Sequence, residues 1–171
     1  AAAEVLGNVS GKQLLTALVA GSETACRIAL GVHEDLEARG FYMPPVYTSF
    51  GATAAAGKLM GLSREQMVDA FSLNLCQTTC SAELMNNSET AVRSIREAFA
   101  AKNALLSARL AEKGVRGFAD PLQGKLGFYH AYAGKPGDEE NALSGLGSRF
   151  EAGGLYFKLW PRCAGTHPAI R

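Results

Sequence analysis

Gly-Ala-Thr-Ala-Ala-Ala-Gly-Lys-Leu-Met occupies residues 51–60, and almost every side chain in this stretch is small. Small side chains allow neighbouring helices to approach closely on nearly every side, which is typical of a helix in the middle of a bundle. Gly61 is expected to end this helix, since glycine readily takes the left-handed conformation that follows a last helical turn. The stretch therefore predicts a mainly all-α fold of the helical-bundle type.

The flanking sequence predicts three further helices. Ser10 is a typical cap for a helix over residues 11–37, and Ser63 with Gln66 forms the pattern of a capping box. Apolar periodicity also predicts a helix over 94–113, followed by a glycine. The residues expected on the apolar faces of the first and last of these helices are Leu14, Leu15, Leu18, Ala25, Ile28, Val32, Ile95, Ala98, Phe99, Leu105, Leu106 and Leu110.

Breaker residues predict the connections. Pro44 and Pro45 favour a loop over 39–49, because proline lacks an N–H donor and restricts the residue before it. Residues 79–92 have no periodicity and are expected to form an irregular connection with one turn over 82–85. Short helices are predicted after the Asp120-Pro121 pair and over residues 128–133 and 138–146.

The last part of the chain differs in character from the rest. The short apolar and aromatic run 155–159 predicts a strand. Residues 1–154 are therefore expected to form a helical domain, and residues 155–171 to begin a smaller α+β domain. Because residues 1–6 resemble the tail of a helix and residues 166–170 the opening turn of another, we expect truncation at both ends.

Composition and charge exclude several classes of protein. The 171 residues carry a formal net charge of +1, so no basic face for nucleic acid is expected. No apolar run reaches the roughly 20 residues of a membrane span, and we expect a cytoplasmic protein with no membrane partner. Cys76 and Cys80 lie four apart, unlike the usual ligands of zinc, so we expect reduced thiols and no metal.

Two arginines at the start of a predicted helix are candidates for binding an anion. Arg93 and Arg96 lie one turn apart, so two guanidinium groups on one face would clamp a carboxylate through paired hydrogen bonds. The alternative is a solvated helix face on which these arginines pair with Glu89 or Glu97.

A second candidate region is Lys158-Leu-Trp-Pro-Arg-Cys-Ala-Gly-Thr-His167. Lys158 is suited to holding a carboxylate or moving a proton, and Cys163 to acting as an acid or base. The alternative is that Lys158 is merely exposed, Cys163 is buried in the core and His167 starts a helix.

Two other sites of interest carry weaker signals. Thr48 and Ser49 follow an aromatic loop at a predicted helix start, where free N–H groups favour an anion, although ordinary caps look the same. Glu23 lies in a packing helix, where it either pairs with a buried arginine or faces solvent, and it is not expected to be catalytic.

These stretches together resemble the MmgE/PrpD family, which includes methylcitrate dehydratases, cis-aconitate decarboxylases and an iminodisuccinate epimerase. The markers, in the family's order, are Gly21-Ser-Glu23, Arg39-Gly-Phe41, residues 48–62, Ala101-Lys102, residues 118–132 and residues 157–169. The resemblance implies a large helical domain joined to an α+β lid, an active site between them, a homodimer and no cofactor.

The resemblance also assigns roles to individual residues. Lys158 matches the lysine at the mouth of the family's site, and Cys163 stands where members have cysteine or histidine. Tyr42 replaces a histidine, Arg93 a lysine and Arg96 a histidine, while the family's N-terminal Asp-Asp-Thr and histidine cluster has no counterpart. Phenol and guanidinium groups transfer protons poorly near neutral pH, whereas arginine binds carboxylates well.

The sequence therefore predicts a cofactor-independent lyase for a small polycarboxylate, with dehydration of a 2-methylcitrate-like acid as the leading reaction. Arg93, Arg96 and Lys158 are predicted to bind the substrate, and Lys158, Cys163 and Tyr42 are the candidate catalytic residues. The alternatives are an epimerase or isomerase, a carboxylate-binding protein that has lost catalysis, and a helical interaction module without a site.

Overall fold

The computed structural model describes residues 1–87, 89–161 and 163–170, and these ranges are mainly helical. The α-helices are α1 (Ala2–Leu6), α2 (Gly11–Leu30), α3 (Met43–Met60), α4 (Arg64–Leu75), α5 (Val92–Glu112), α6 (Phe128–Ala133) and α7 (Glu139–Leu143). The 3₁₀ helices are Ala82–Met85, Glu151–Gly154 and Ala164–Ala169. Within the described ranges, none of the helices combines the length and apolar character that a membrane crossing requires. The predicted all-α fold is confirmed.

Helix α3 lies in the middle of the bundle and contacts α1, α2, α4 and α5. It crosses α2 at Gly51 and Gly21, where a Cβ atom on either residue would lie 2.5 Å from the backbone oxygen of the other. Gly61, with φ 69°, ends α3 in the left-handed conformation. The small residues thus have the predicted effect, because they let two backbones approach more closely than side chains would permit.

Aromatic side chains from separate elements form the main hydrophobic core. The Phe128 ring of α6 lies at its centre, with ring centroids of Phe50, Tyr129 and Tyr132 between 5.1 and 5.3 Å away. The buried members of this core are Ile28, Leu36, Met43, Val46, Phe50, Phe128, Tyr129 and Tyr132. Burial of such large side chains is the main stabilising contribution expected at this junction of α2, α3 and α6.

The buried faces of α2 and α5 agree only in part with those predicted, since Ile28 is buried as expected but most of the larger predicted residues are exposed. Leu14, Leu15, Leu18, Ile95, Phe99 and Leu106 are between 39% and 64% exposed. Besides Ile28, the buried apolar residues are Ala17 in α2 and Ala100, Ala104, Ala108 and Ala111 in α5. Since α3 presents small side chains to both neighbours, the helices lie close together, and only small residues fit between them.

Local capping signals were predictive of helix starts. The Ser10 and Ser63 hydroxyls accept hydrogen bonds from the N–H groups of Gln13 and Gln66, and both capping boxes are complete. Helix α5 begins two residues before the predicted start and ends one residue before the predicted end. The predicted turn over 82–85 is the 3₁₀ helix Ala82–Met85, and α6 has its predicted bounds.

Helix ends set by distant contacts differ from the predictions. Helix α2 ends at Leu30 rather than near residue 37, because Tyr129 donates its hydroxyl to the Ile28 carbonyl at 3.2 Å. The Asp138 N–H likewise donates to the Gly31 carbonyl at 2.9 Å. Carbonyls that a longer helix would have used internally are therefore bound by residues far away in sequence.

The predicted loop over 39–49 is wrong, since α3 begins at Met43 and contains both prolines in its first turn. Proline is tolerated there because the first N–H groups of a helix have no partner within it. Proline, which breaks the interior of a helix, thus lies in the first turn of α3. The N-cap residue of α3 is Tyr42.

Two further short elements also differ from expectation. After Asp120 the chain forms turns instead of a helix, because the Pro121 carbonyl accepts the Phe128 N–H at 2.8 Å. Helix α7 ends at Leu143 instead of continuing to residue 146, since the Arg27 guanidinium binds the Ala142 carbonyl.

The strand predicted over 155–159 does not form in this chain. These residues have no strand pairing, and Leu155 has the extended angles φ −71° and ψ 146°. An extended segment becomes a strand only when a neighbouring segment accepts and donates the ladder hydrogen bonds. The only β-bridge among the described residues joins Phe41 to Ser81. The division into domains at residues 154 and 155 stays a prediction.

A buried ion pair ties α2 to the chain that follows α7. Arg27 Nε lies 2.6 Å from Glu23 Oε1, and both residues are less than 10% exposed. Arg27 also donates to the Arg149 carbonyl at 2.8 Å, while Glu23 accepts the Ala152 N–H at 3.1 Å. Burial alone would raise the pKa of Glu23, but these N–H donors and Arg27 outweigh it and lower that pKa. Glu23 therefore pairs with a buried arginine.

The crossing of α2 and α3 predicts an unfavourable effect of a single methyl group. Gly51→Ala is expected to destabilise the protein by about 2 kcal/mol, because the new Cβ collides with the Gly21 backbone oxygen. The matched control is Gly11→Ala in the first turn of α2, where a Cβ meets no atom within 4 Å. Urea unfolding measures both, and equal midpoints for the two variants would contradict the close crossing.

The buried ion pair predicts how stability depends on pH. Since the pKa of Glu23 is lowered in the folded state, its charge stabilises the fold fully above the unfolded pKa of about 4.3. That contribution is lost as the pH falls through the folded pKa. Glu23→Gln should lower the free energy of unfolding by about 3 kcal/mol at neutral pH. The variant should also lose less stability than the parent as the pH falls. Urea midpoints across pH test this against the exposed Glu37→Gln control, and an unchanged pH slope would refute it.

Candidate functional site

The structure brings all five predicted site residues to one open cleft with a volume of about 700 Å³. The residues that line it are Tyr42, Arg93, Arg96, Lys158, Leu159, Trp160, Pro161 and Cys163. They come from three separate parts of the sequence, so their meeting is a consequence of the fold. The cleft is wide enough to admit a small organic acid.

Tyr42 reaches the cleft from the start of α3. Its N–H donates to the Cys80 carbonyl at 2.8 Å, and the adjacent Phe41 forms the antiparallel bridge with Ser81. These backbone contacts hold the α3 N-terminus against the connection that leads to α5. Tyr42 is half-buried as a result.

Arg93 and Arg96 lie in the first turns of α5, one turn apart as predicted. The Arg96 guanidinium donates to the Arg93 carbonyl, and its Cζ lies 5.0 Å from the centroid of the Tyr42 ring. Its Nε is 2.9 Å from Glu97 Oε1 but is buried without an aligned hydrogen bond. The pairing with Glu97 that belongs to the alternative of a solvated helix face is present at Arg96, and the Arg93 side chain is exposed.

Lys158 and Cys163 come from the segment after the 3₁₀ helix Glu151–Gly154. Both side chains are exposed, so the alternative that places Cys163 in the core is wrong. Trp160 is 38% exposed between them, and its ring lies 5.2 Å from that of His167. The indole gives the cleft an apolar surface between the two reactive side chains.

The proposed anion site at Thr48 and Ser49 is absent, because α3 begins several residues earlier than predicted. Thr48 Oγ1 donates to the Pro44 carbonyl at 2.9 Å, and Ser49 Oγ donates to the Val46 carbonyl at 2.9 Å. Both residues therefore lie within a formed helix whose N–H groups have internal partners.

The described lining of the cleft is cationic. Arg93, Arg96 and Lys158 supply positive charges, and no aspartate or glutamate is among the described lining residues. An anion is favoured beside these cations, of which Arg96 is partly offset by Glu97 from outside the lining, with its Oε1 2.9 Å from Arg96 Nε. In the described parts of the chain, no group of three or more histidine, cysteine or acidic residues is arranged to hold a metal.

The sequence did not indicate the polar residues behind Arg96. Thr78, Thr79 and Ser81 follow α4, and Asn103 lies on α5, where it donates to the Gln77 carbonyl at 2.9 Å. Their one sequence signal was the long irregular connection after α4, since such connections are often functional. Hydroxyl and amide residues of this kind are too common in loops and helices to be distinguished individually.

Comparisons with known proteins agree with this arrangement. The family model for the MmgE/PrpD N-terminal domain matches residues 1–141. Over 169 residues the chain is 32% identical to the cis-aconitate decarboxylase-like protein oryM of Aspergillus oryzae, covering 95% of the chain and 35% of that protein. Over 182 residues it is 30% identical to cis-aconitate decarboxylase of Aspergillus terreus, covering 99% of the chain and 36% of that protein.

The chain thus spans about a third of the length of the curated relatives it matches. The family model, in contrast, extends over most of the chain, from α1 into α7. The all-helical architecture agrees with a match to the helical N-terminal domain of that family. The chain belongs to the MmgE/PrpD family.

Proposed function

We propose that this chain supplies one wall of the active site of a lyase that acts on a small di- or tricarboxylic acid. The observation that carries the proposal is the convergence of Arg93, Arg96 and Lys158 on one cleft without a described acidic residue in its lining. Further support comes from the two relatives, which are named as a cis-aconitate decarboxylase and a protein like it.

The arrangement suits chemistry next to a carboxylate. Arginine holds a carboxylate through paired, directional hydrogen bonds, and lysine adds a mobile positive charge. When a C–H bond beside a carboxylate breaks, negative charge develops on the carboxylate oxygens. Arg93, Arg96 and Lys158 then lower the barrier because their charges already face the site where this anion forms.

Dehydration is the first reaction to test. A base removes a proton from the carbon beside one carboxylate, and the electron pair of that C–H bond forms the alkene. The C–O bond to the neighbouring hydroxyl breaks, and an acid protonates the leaving oxygen to give water. Lys158, Cys163 and Tyr42 are the residues of the cleft with protons to exchange, and a 2-methylcitrate-like acid is the leading substrate.

Decarboxylation is the second reaction, and the names of the relatives favour it. Here the C–C bond to one carboxylate breaks, carbon dioxide leaves, and the remaining carbanion takes a proton from the protein. The same cations that stabilise the anion in an elimination also stabilise this carbanion when it is conjugated with a second carboxylate. Both reactions thus use the same charges.

Carboxylate binding is predicted to depend on the cleft cations. In the full-length protein, Arg93→Ala and Lys158→Ala should each weaken the binding of tricarballylate about tenfold or more, because each removes one charged hydrogen-bond donor. Isothermal titration calorimetry measures this. The control is Lys125→Ala, which removes an exposed lysine outside the cleft lining. Unchanged affinity in both cleft variants would support an interaction module without a site.

Turnover is predicted to separate the proton-transferring residue from those that only bind. With a chelator present, alkene formation from 2-methylcitrate and citrate is followed by ultraviolet absorbance, and carbon dioxide release from cis-aconitate is measured in parallel. Cys163→Ala or Tyr42→Phe should lower kcat about a hundredfold or more, with little change in KM, if that residue transfers the proton.

Matched controls keep this assay specific. Cys76→Ala and Tyr156→Phe remove the same groups from exposed positions outside the cleft lining and should leave kcat unchanged. No product from any acid, together with normal carboxylate binding, would favour a binding protein without catalysis. Exchange of a substrate proton with solvent without net product would favour the epimerase.

A further inference from the structure

The guanidinium of Arg96 contacts three neighbouring groups at the wall of the cleft. Its Cζ lies 5.0 Å from the centroid of the Tyr42 ring, and its Nη1 donates to the Arg93 carbonyl. Glu97 Oε1 lies 2.9 Å from its Nε. No described residue accepts a hydrogen bond from Nη2, so the N–H groups of this nitrogen are the ones left for an anion in the cleft.

Tyr42 is the neighbour of Arg96 whose place is set by the fold. Its backbone N–H donates to the Cys80 carbonyl at 2.8 Å. Two residues earlier, the Gly40 carbonyl accepts the Ala82 N–H at 2.9 Å. These hydrogen bonds tie the start of α3 to the connection that leads to α5. The half-buried Tyr42 ring therefore projects from a backbone that is fixed relative to both helices.

The other two neighbours restrain the guanidinium less. Glu97 is 51% exposed, and an exposed ion pair is weak because water screens it and both long side chains lose rotamer freedom. The Arg93 carbonyl belongs to the same helix as Arg96, so it cannot fix the guanidinium relative to α3. The Tyr42 ring can, and its π face attracts the cation without using the N–H donors, which lie in the guanidinium plane.

We propose that Tyr42 is a positioning residue, whose ring holds the Arg96 guanidinium in the orientation that binds a substrate carboxylate. This role belongs to the ring and is separate from proton transfer by the hydroxyl. An arginine side chain loses rotamer freedom when a ligand immobilises it, and a contact that already orients the side chain reduces that loss on binding. The proposal rests on the proposed function and adds a residue that acts on the substrate through Arg96.

The first test measures how tightly the full-length protein binds tricarballylate. This acid has neither a hydroxyl group nor a double bond, so it is not turned over and calorimetry reports binding alone. Tyr42→Phe keeps the ring and should leave Kd unchanged, whereas Tyr42→Leu removes it and should weaken binding about fivefold, as expected for one cation–π contact. The matched control is Tyr156→Leu, at an exposed position outside the cleft lining, which should not change Kd.

A double-mutant cycle tests whether Tyr42 acts through Arg96. Arg96→Met removes the guanidinium and keeps an unbranched side chain. In that background Tyr42→Leu should have no further effect on tricarballylate affinity, because the group that the ring positions is gone. A general loss of structure at the start of α3 would lower the affinity again, so the cycle separates positioning from a merely structural role.

A chemical probe reports the contact without relying on affinity. Phenylglyoxal modifies accessible guanidinium groups, and mass spectrometry of the digested protein follows the modification of Arg96 alone. The rate at Arg96 should rise at least threefold in Tyr42→Leu and stay at the parental value in Tyr42→Phe, because only the leucine variant lacks the ring that covers one face of the guanidinium.

The outcomes separate the two proposals. If the parent does not bind tricarballylate, the proposed function fails and the positioning role falls with it. If the parent binds but Tyr42→Leu changes neither Kd nor the rate at Arg96, the proposed function stands and the positioning role is overturned. Equal losses of affinity in Tyr42→Phe and Tyr42→Leu would also overturn it, because the hydroxyl would then carry the effect. A further loss in the double variant would do the same.

Discussion

The rest of the structure depends on the close crossing of α2 and α3 at Gly21 and Gly51. A Cβ atom on either glycine would lie 2.5 Å from the backbone oxygen of the other, so the two backbones are in direct contact. Such a crossing fixes how near every other helix lies to α3. Helix α5 also packs closely against another side of α3, and the residues that it buries there are alanines. The bundle is therefore organised by small residues, and the larger apolar residues concentrate where α6 enters the core.

This packing determines where the cleft lies. Because α3 and α5 are close neighbours, the Tyr42 end of α3 and the first turn of α5 face the same space. The Phe41 to Ser81 bridge fixes that end of α3 locally. On the far side, Arg27 binds the carbonyls of residues 142, 144 and 149, which anchors the chain shortly before the segment that carries Lys158. A buried arginine far from the cleft thus helps determine which residues reach it.

The features that could be predicted from sequence are those set within a few residues. Capping boxes at Ser10 and Ser63 need only a hydroxyl and a glutamine three positions later, and both are present in the structure. The end of α2 could not be predicted, because the Asp138 N–H that binds the Gly31 carbonyl is over a hundred residues away. The prolines at 44 and 45 are ambiguous in principle, since proline breaks the interior of a helix and favours its first turn.

The candidate site shows the same division between local and distant information. Residue types and a family resemblance selected Tyr42, Arg93, Arg96, Lys158 and Cys163, but only the fold places them around one cleft. The buried faces of α2 and α5 were predicted only in part, for a related reason. Periodicity identifies an apolar stripe on a helix. The size of the side chains on the neighbouring helix decides which stripe is buried. The hydroxyls of Thr78, Thr79 and Ser81 behind Arg96 had no usable signal, because no single segment of sequence defines the cavity that they line.

The contact between Arg96 and Tyr42 joins two of the candidate site residues directly. The resemblance places histidines at both positions in other members, and here a guanidinium lies 5.0 Å from the centroid of a phenol ring. A cation over an aromatic face is attracted by it, so this contact holds the two side chains in place relative to each other at the cleft wall. On the proposed function, Arg96 binds a carboxylate from this fixed position, and Lys158, Cys163 and Tyr42 remain the candidates for proton transfer.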